Sequence, residues 1–318
     1  MKPRALITGI GGQDGSYLAE FLIARNYEVH GLVRDSMNKP RLHLAGLGEA
    51  LTLHRADLGD SNAVGALVAS AAPQEIYHLA AQSHVADAER DPTDTLRQNV
   101  LGTLNLLEAA RRLPVVPRFF HASTAQIFGQ PSQQPQDETT PIRPINRYGQ
   151  SKALSTELVR TWREAFGMFA VNGILFNHES PRRGLGFVTT KICRAAAAIR
   201  AGHQQELKLG NLAAVRDWGD AREFIVGFWQ SLQAPQAADY VFATGQLHSV
   251  ENLLEIAFGA VQLDWRKHVV VDQNLLRTTD PNQLVGNPAK AARDLGWVAR
   301  KPFAELIREM VYAAGAEA

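Results

Sequence analysis

The run Thr8-Gly9-Ile10-Gly11-Gly12-Gln13-Asp14-Gly15 places Gly9, Gly12 and Gly15 at three-residue intervals between an apolar stretch and an amphipathic one. Residues 4–8, RALIT, have the character of a short buried strand, and SYLAEFLIARN carries its apolar residues at helical spacing. Strand, tight glycine turn and helix in that order fit a dinucleotide-binding unit. Gly9 and Gly12 let the backbone turn sharply and approach a diphosphate, which rests on the free N–H groups of the helix N-terminus. Gly15 lets the helix pack against the strand. Gly9, Gly12, Gln13, Asp14 and Gly15 are therefore expected at the cofactor.

The alternation continues along the chain. EVHGLV (28–33) and LTLHRADL (51–58) read as strands separated by a polar, irregular stretch from Arg34 to about Gly48. Helix SNAVGALVASA, strand EIYHLAA, helix TLRQNVLGTLNLLEAARRL, strand RFFHAST and, after a Pro- and Gln-rich loop, helix YGQSKALSTELVRTWREAF follow. Such a series predicts an α/β fold with a Rossmann-like, doubly wound parallel sheet. Beyond about residue 177 the pattern is less regular. The expected division is a nucleotide-binding domain over 1–176 and a smaller, mixed α/β substrate-binding domain over 177–318, with some later elements returning to the first.

With 33 Lys+Arg against 32 Asp+Glu, the chain has no charge imbalance of the kind that marks nucleic-acid or membrane-surface proteins. An anionic ligand must be held by local basic residues. The single cysteine, Cys193, has no partner for an internal disulfide, and no CxxC or His/Cys cluster suggests a metal site. No apolar leader opens the sequence and no run approaches the roughly 18 apolar residues of a membrane span, so a cytoplasmic enzyme is expected.

The second strand ends at Arg34, where a dinucleotide site for an unphosphorylated ribose usually has an acidic residue. The guanidinium suits a 2′-phosphate, which favours NADP; Asp35 beside it leaves NAD as the alternative. Asp57 closes the third strand and either accepts from the adenine amine or caps the next helix. Tyr148 and Lys152 are four apart and share one helix face. A neighbouring ammonium is expected to lower the phenol from its ordinary pKa of about 10 and make it a usable base. Ser123 or Thr124, at a strand end, can bring a hydroxyl to the same sugar oxygen. The set fits alcohol oxidation with hydride transfer to a nicotinamide.

TGxxGxxG combined with YxxxK resembles the extended short-chain dehydrogenase/reductases. GQDGSYLAEFL, AAQSHV, ILFNHESPRRG, FVTTKI, LGNLAAVRDWGDAREF, YVFATGQLHSV and VGNPAKAARDLGW together resemble the GDP-mannose 4,6-dehydratase family over nearly the whole chain. The resemblance implies that Leu58, Leu79, Ala80 and Ala81 border the cofactor. It also implies that Ser83, Asn177 and Glu179 meet the substrate, that Val188 and Lys191 border its nucleotide, and that Leu209 and Asn211 lie near the guanine. Arg216 and Arg277 would hold phosphates, and Asp280 stands where the family has Glu. The implied substrate is GDP-mannose or a related GDP-hexose or GDP-heptose. In the implied chemistry Tyr148 takes the 4-hydroxyl proton as hydride leaves C4. A carboxylate then removes the C5 proton, water leaves from C6 with help from Thr124, and hydride returns to C6.

One residue departs from that chemistry. The family ends this strand Ser-Thr-x-Glu, and the present sequence reads Ser123-Thr124-Ala125-Gln126. A neutral amide has no useful basicity near pH 7. Three explanations are open: Gln126 is an introduced isostere that stalls turnover, another carboxylate such as Glu179 acts as base, or the chain has become a 4-keto-sugar reductase or C4 epimerase. An inactive nucleotide-sugar-binding subunit is a further reading. The segment Arg34–His43 replaces a longer arginine-rich stretch that, in the family, reaches a neighbouring subunit. That argues against a tetramer and leaves a homodimer built on the helices at 95–110 and 148–162.

Overall fold

The computed structural model describes residues 2–34, 42–275 and 283–316, with the backbone alone at Leu42. The first half runs β1 (Arg4–Thr8), α1 (Gln13–Ile23), β2 (Glu28–Val33), β3 (Leu51–Arg55), α2 (Ser61–Ala71), β4 (Glu75–His78), α3 (Val85–Arg90), α4 (Pro92–Leu96), α5 (Gly102–Arg111), β5 (Arg118–Thr124), α6 (Arg147–Phe166) and β6 (Ala170–Leu175). There follow β7 (Asn177–Glu179), α7 (Val188–Arg200), β8 (Leu207–Leu209), β9 (Val215–Arg216), β10 (Trp218–Asp220), α8 (Ala221–Gln233), β11 (Asp239–Phe242), β12 (His248–Ser249), α9 (Val250–Ala260), β13 (Val269–Val271), β14 (Gln283–Leu284), α10 (Ala289–Leu295) and α11 (Phe303–Ala316).

Seven strands form one parallel sheet in the order β3-β2-β1-β4-β5-β6-β11. Successive strand residues point to opposite faces, and both faces are apolar. Ile7, Tyr77 and Phe120 pack with Leu18 and Leu22 of α1 and Phe224 and Phe228 of α8. Their neighbours Leu6, Ile76 and Phe119 pack with Val64 of α2, Leu106 and Leu107 of α5 and Val159 of α6. Helices thus cover both sides, as the alternating sequence predicts. Strand order reverses between β1 and β4, so the loops leaving these two strands diverge and open a crevice at their carboxyl ends.

Beyond β6 the chain shuttles between two cores. Ile192, Leu207, Trp218, Leu254, Phe258, Leu306 and Met310 form a second apolar cluster among α7, α9, α11, β8 and β10. Meanwhile α8, β11 and α10 return to the sheet. None of the described helices is long and apolar enough to cross a membrane.

Three local readings differ from the sequence pattern. The irregular stretch before Leu51 includes 3-10 turns over Leu42–Ala50. The third strand stops at Arg55, because Asp57 folds back to accept from Gly59 N–H at 2.8 Å. The helix expected over 95–113 is broken by a π turn at Arg97–Leu101. Inside that turn Asn99 is buried, accepting from Gln82 N–H at 2.8 Å and donating to Ser151 Oγ at 2.9 Å. The wider turn brings a polar side chain inward where an apolar one would continue the stripe.

The start of α6 positions the site. Asn146 caps it, its side chain accepting from Gly149 N–H at 2.8 Å. Gly149 is needed for contact: a Cβ there lies 2.6 Å from the Gln126 carbonyl oxygen, on the 3-10 turn Ala125–Phe128 that follows β5. Gly149→Ala therefore forces the helix off the strand end. We expect it to lower stability by about 1–3 kcal/mol in denaturant titrations, with a larger loss of turnover than of folded protein; unchanged stability and turnover would mean the two segments are not held in contact.

Candidate active site

A cavity of about 1720 Å³ lies over the crevice and runs between the two cores. Its floor is the glycine turn. No side chain caps α1 at Gly12, so the first N–H groups of that helix remain open to a ligand. A Cβ on Gly15 lies 2.4 Å from the Gly9 carbonyl oxygen, which explains the third glycine. Gly9, Gly12, Gln13, Asp14, Gly15, Leu58, Leu79, Ala80 and Ala81 all border the cavity. Arg34, exposed at the end of β2, also borders it. This open helix terminus, flanked by small residues and an arginine, fits the diphosphate and ribose of a nicotinamide dinucleotide.

Asp57 does not cap the next helix. It lies outside the cavity wall, accepting from Arg97 at 2.6 Å and Gln98 at 3.2 Å as well as from Gly59. Partial burial raises its carboxyl pKa, but these donors, Gly59 N–H and Arg97 foremost, hold it below the ordinary value. The cap of α2 is Asp60, which accepts from Asn62 and Ala63 N–H.

Tyr148, Lys152 and Thr124 meet at one end of the cavity. Burial pushes the Tyr148 phenol up to about 12, partly opposed by a hydrogen bond with Thr124 and by the Arg183 charge, while the Asp14 charge pushes the same way as burial. The expected lowering by Lys152 is absent. Burial brings Lys152 down to about 7, and its Nζ donates to the Ala122 carbonyl at 2.7 Å. The ammonium is thus weakened by desolvation and directed at the strand. Of the two strand-end hydroxyls, Thr124 is the one on the phenol. Ser123 also borders the cavity, but it is 3% exposed and its Oγ is engaged by Thr156 Oγ1 at 2.7 Å.

Gln126 also borders the cavity, and its Oε1 accepts from Asn146 Nδ2 at 3.0 Å. This bond leaves the amide NH2 as the half of the side chain free to meet a ligand. Glu179 cannot replace it as a base. It is 1% exposed, accepts from Thr189 Oγ1 at 2.5 Å, pairs with Arg183 at 3.2 Å and lies outside the cavity wall. Among the described residues Asp14 is the one carboxylate on that wall.

On the side facing the second core, Ser83, Asn177, Val188, Lys191, Leu209, Asn211 and Arg216 border the cavity. Lys191 Nζ donates to the Lys208 carbonyl at 2.7 Å, and the Asn211 side chain accepts from Ala213 N–H at 3.0 Å. Arg277 and Asp280 lie outside the described residues.

Two connections escaped the sequence reading. The Asn146 side chain joins helix cap to Gln126; an Asn shortly before an amphipathic run is a cap signal that could have flagged it. The segment after β6 also clasps the glycine turn. Gln13 Nε2 donates to the His178 carbonyl at 3.1 Å, Ser180 Oγ donates to Gln13 Oε1 at 2.8 Å, and His178 Nε2 donates to Asp14 Oδ2 at 2.9 Å. Burial is the largest influence on His178 and opposes its protonation, but the Asp14 charge and the hydrogen bonds to Asp14 and the Phe176 carbonyl together raise the imidazole's pKa. Asp14 is lowered: burial pushes it up, and His178 more than offsets this by charge and hydrogen bond.

Residues 6–310 match the family model for GDP-mannose 4,6 dehydratase. GDP-mannose 4,6 dehydratase 2 of Caenorhabditis elegans is 43% identical, with 96% of this chain and 87% of the relative covered. Among solved structures, UDP-glucose 4-epimerase of Thermus thermophilus in complex with NAD superposes with a TM-score of 0.86 at 27% identity, over 98% of each chain. RMD of Pseudomonas aeruginosa complexed with NADPH superposes at 0.84 with 25% identity, over 100% of each chain.

The depressed Lys152 has a measurable consequence. Its folded pKa, about 7, lies below the unfolded value near 10.5, so below pH 7 the folded protein carries the full cost of a buried ammonium. Between pH 7 and 10.5 the unfolded chain binds the extra proton, and stability rises with pH. Lys152→Met removes the cost. We expect its melting temperature to exceed that of the parent protein by a few degrees at pH 6.5, with the difference narrowing toward pH 10, while turnover is lost. A uniform drop in melting temperature would contradict the buried-ammonium account.

Proposed function

Because the chain belongs to the GDP-mannose 4,6-dehydratase family, we propose that it is an NADP-dependent lyase that forms a 4-keto-6-deoxy sugar from GDP-mannose or a related GDP-hexose or GDP-heptose. The observation that carries this reading is the convergence of Thr124, Tyr148 and Lys152 in the same cavity as the open N-terminus of α1. Arg34, at the β2 end where a ribose phosphate is read, favours NADP over NAD. Lys191 and Arg216 supply fixed cationic groups for the substrate diphosphate.

Bound NADP supplies hydride acceptance at the start and hydride return at the end. Once a ligand beside the phenol opposes the burial that holds its proton, Tyr148 as phenolate accepts the proton of the sugar 4-hydroxyl at Oη, with Thr124 Oγ1 aligning it and Lys152 beside it on the same helix face. Oxidation at C4 makes the C5 proton acidic. Gln126 stands where a base is required for its removal, and its amide presents a donor in place of a carboxylate. Loss of a general base typically slows a step by about 10²–10⁴-fold. The elimination is therefore the slow step of this protein.

A second reading follows from the cavity wall. Its one described carboxylate, Asp14, is engaged by His178, so C4 oxidoreduction without elimination, as in a 4-keto-sugar reductase or C4 epimerase, is the favoured alternative. Gln126→Glu tests whether the missing base limits dehydration. With GDP-mannose and NADP+, we expect it to raise 4-keto-6-deoxy product formation by about 10²–10⁴-fold, measured by the mass of the released sugar nucleotide. An unchanged rate, with the parent protein already turning over, would mean that another group supplies the base.

The assembly we propose is a homodimer. Leu101, just before α5, and Leu154 on the neighbouring α6 are 40% and 52% exposed, an apolar pair on packed helices. Leu154→Arg is expected to shift the sedimenting species from dimer to monomer with little change in melting temperature of the fold; an unchanged dimer would place the interface elsewhere.

A further inference from the structure

We propose that Asp14 and His178 act as a single charge pair that sets the relative affinity of the cavity for oxidised and reduced nicotinamide. This rests on the cofactor reading above and goes beyond it, because it gives a named pair of side chains control over which redox form is held.

Both ring nitrogens of His178 face acceptors. Nδ1 donates to the Phe176 carbonyl at 2.8 Å, and Nε2 donates to Asp14 Oδ2 at 2.9 Å. An imidazole between two acceptors carries both protons, so the pair is imidazolium and carboxylate. The ring is 7% exposed and stacks on Phe224 at 4.7 Å between centroids, which fixes it. Gln13 donates to the other Asp14 oxygen at 2.9 Å. Asp14 and His178 both border the cavity, and the Asp14 charge reaches the Tyr148 phenol. The pair therefore lies electrostatically within the redox end, as well as beside the glycine turn.

The surrounding charges are already matched. Arg183 faces the pair from the loop after β7 and is paired with Glu179. Arg182 is paired with Glu20 on α1 at 2.6 Å. On β10, Asp220 is held by Arg222 at 2.5 Å and Lys301 at 3.4 Å. Removing His178 from the pair thus leaves the Asp14 carboxylate as a net charge directed at the cavity. Oxidised nicotinamide is a cation and reduced nicotinamide is neutral, while the rest of the dinucleotide is the same. A bare carboxylate at Asp14 favours the oxidised ring, whereas His178 without Asp14 loses the charge that keeps it protonated and favours neither form. In a partly buried site one unit charge near the ring is worth about tenfold in affinity or more.

The test is the ratio of dissociation constants for NADP+ and NADPH, from NADPH fluorescence and its displacement by NADP+. His178→Gln retains a donor for Asp14 and removes the charge; we expect the ratio to move about tenfold toward NADP+. Asp14→Asn takes away the charge that keeps the buried imidazole protonated, so it and the double variant both leave a neutral site, and each ratio is expected within about threefold of the parent. Each ratio is taken on one preparation, so a smaller folded fraction cancels. If both affinities fall together and the ratio stays fixed in His178→Gln, the pair is only a structural clasp and the inference is wrong. If the parent protein binds neither form, the cofactor reading itself fails, a different result from an unchanged ratio.

Discussion

Asn146 bonds in two directions at once. Its oxygen accepts from Gly149 N–H inside the first turn of α6, and its Nδ2 donates to Gln126 on the turn after β5. Because Gly149 has no side chain, the helix can rest on the Gln126 carbonyl, and this contact sets the distance between the strand end and the helix face. Thr124 and Gln126 belong to one partner, Tyr148 and Lys152 to the other. A buried Asn with both ends engaged resists displacement, since moving either segment leaves a polar group without a partner. The redox set is in this sense a property of one junction between β5 and α6, with the sheet serving as its support.

Electrostatics at that junction differ from a simple picture of a lysine activating a tyrosine. Burial raises the phenol and lowers the ammonium, and the two groups are not coupled strongly enough to reverse either shift. Basicity at Tyr148 depends instead on what occupies the cavity: a cationic or hydrogen-bonding ligand beside the phenol opposes the desolvation that holds its proton. Among the described residues the wall is otherwise poor in free anionic charge, with Asp14 held by His178 and Glu179 sealed behind Thr189 and Arg183. A cavity of this kind suits an anionic nucleotide sugar and leaves proton removal from carbon without an obvious acceptor.

Local chemistry decided which parts of this were legible in the sequence. The glycine spacing and the strand–helix alternation report backbone geometry directly, so the sheet, the crevice and the glycine turn at its floor were readable from it, whereas Leu58, Leu79, Ala80 and Ala81 on the same wall came from the family resemblance. Tyr148 and Lys152 were readable because four residues on a helix fix a shared face. The cap reading of Asp57 failed because an Asp at a strand end suits more than one partner, and only the fold shows that Arg97 and Gln98 reach it and that Asp60 caps α2. Ser123 and Thr124 are adjacent in sequence and opposite in the strand, so one hydroxyl had to face the core; packing against Thr156 decided which. The π turn at Arg97–Leu101 and the pairing of Asp14 with His178, which are far apart in sequence, depend on tertiary contacts that no local pattern encodes.

The central claim is that C4 oxidoreduction is intact while removal of the C5 proton is impaired at Gln126. Rapid mixing of the NADP+-loaded protein with GDP-mannose, following the absorbance of reduced nicotinamide through a single turnover, tests it most directly. The account predicts reduced cofactor accumulating on a substantial share of the sites and decaying only slowly as dehydrated product forms. Prompt product formation with no accumulation of reduced cofactor would contradict it, since elimination would then keep pace with oxidation and a base would be at work that Gln126 cannot provide.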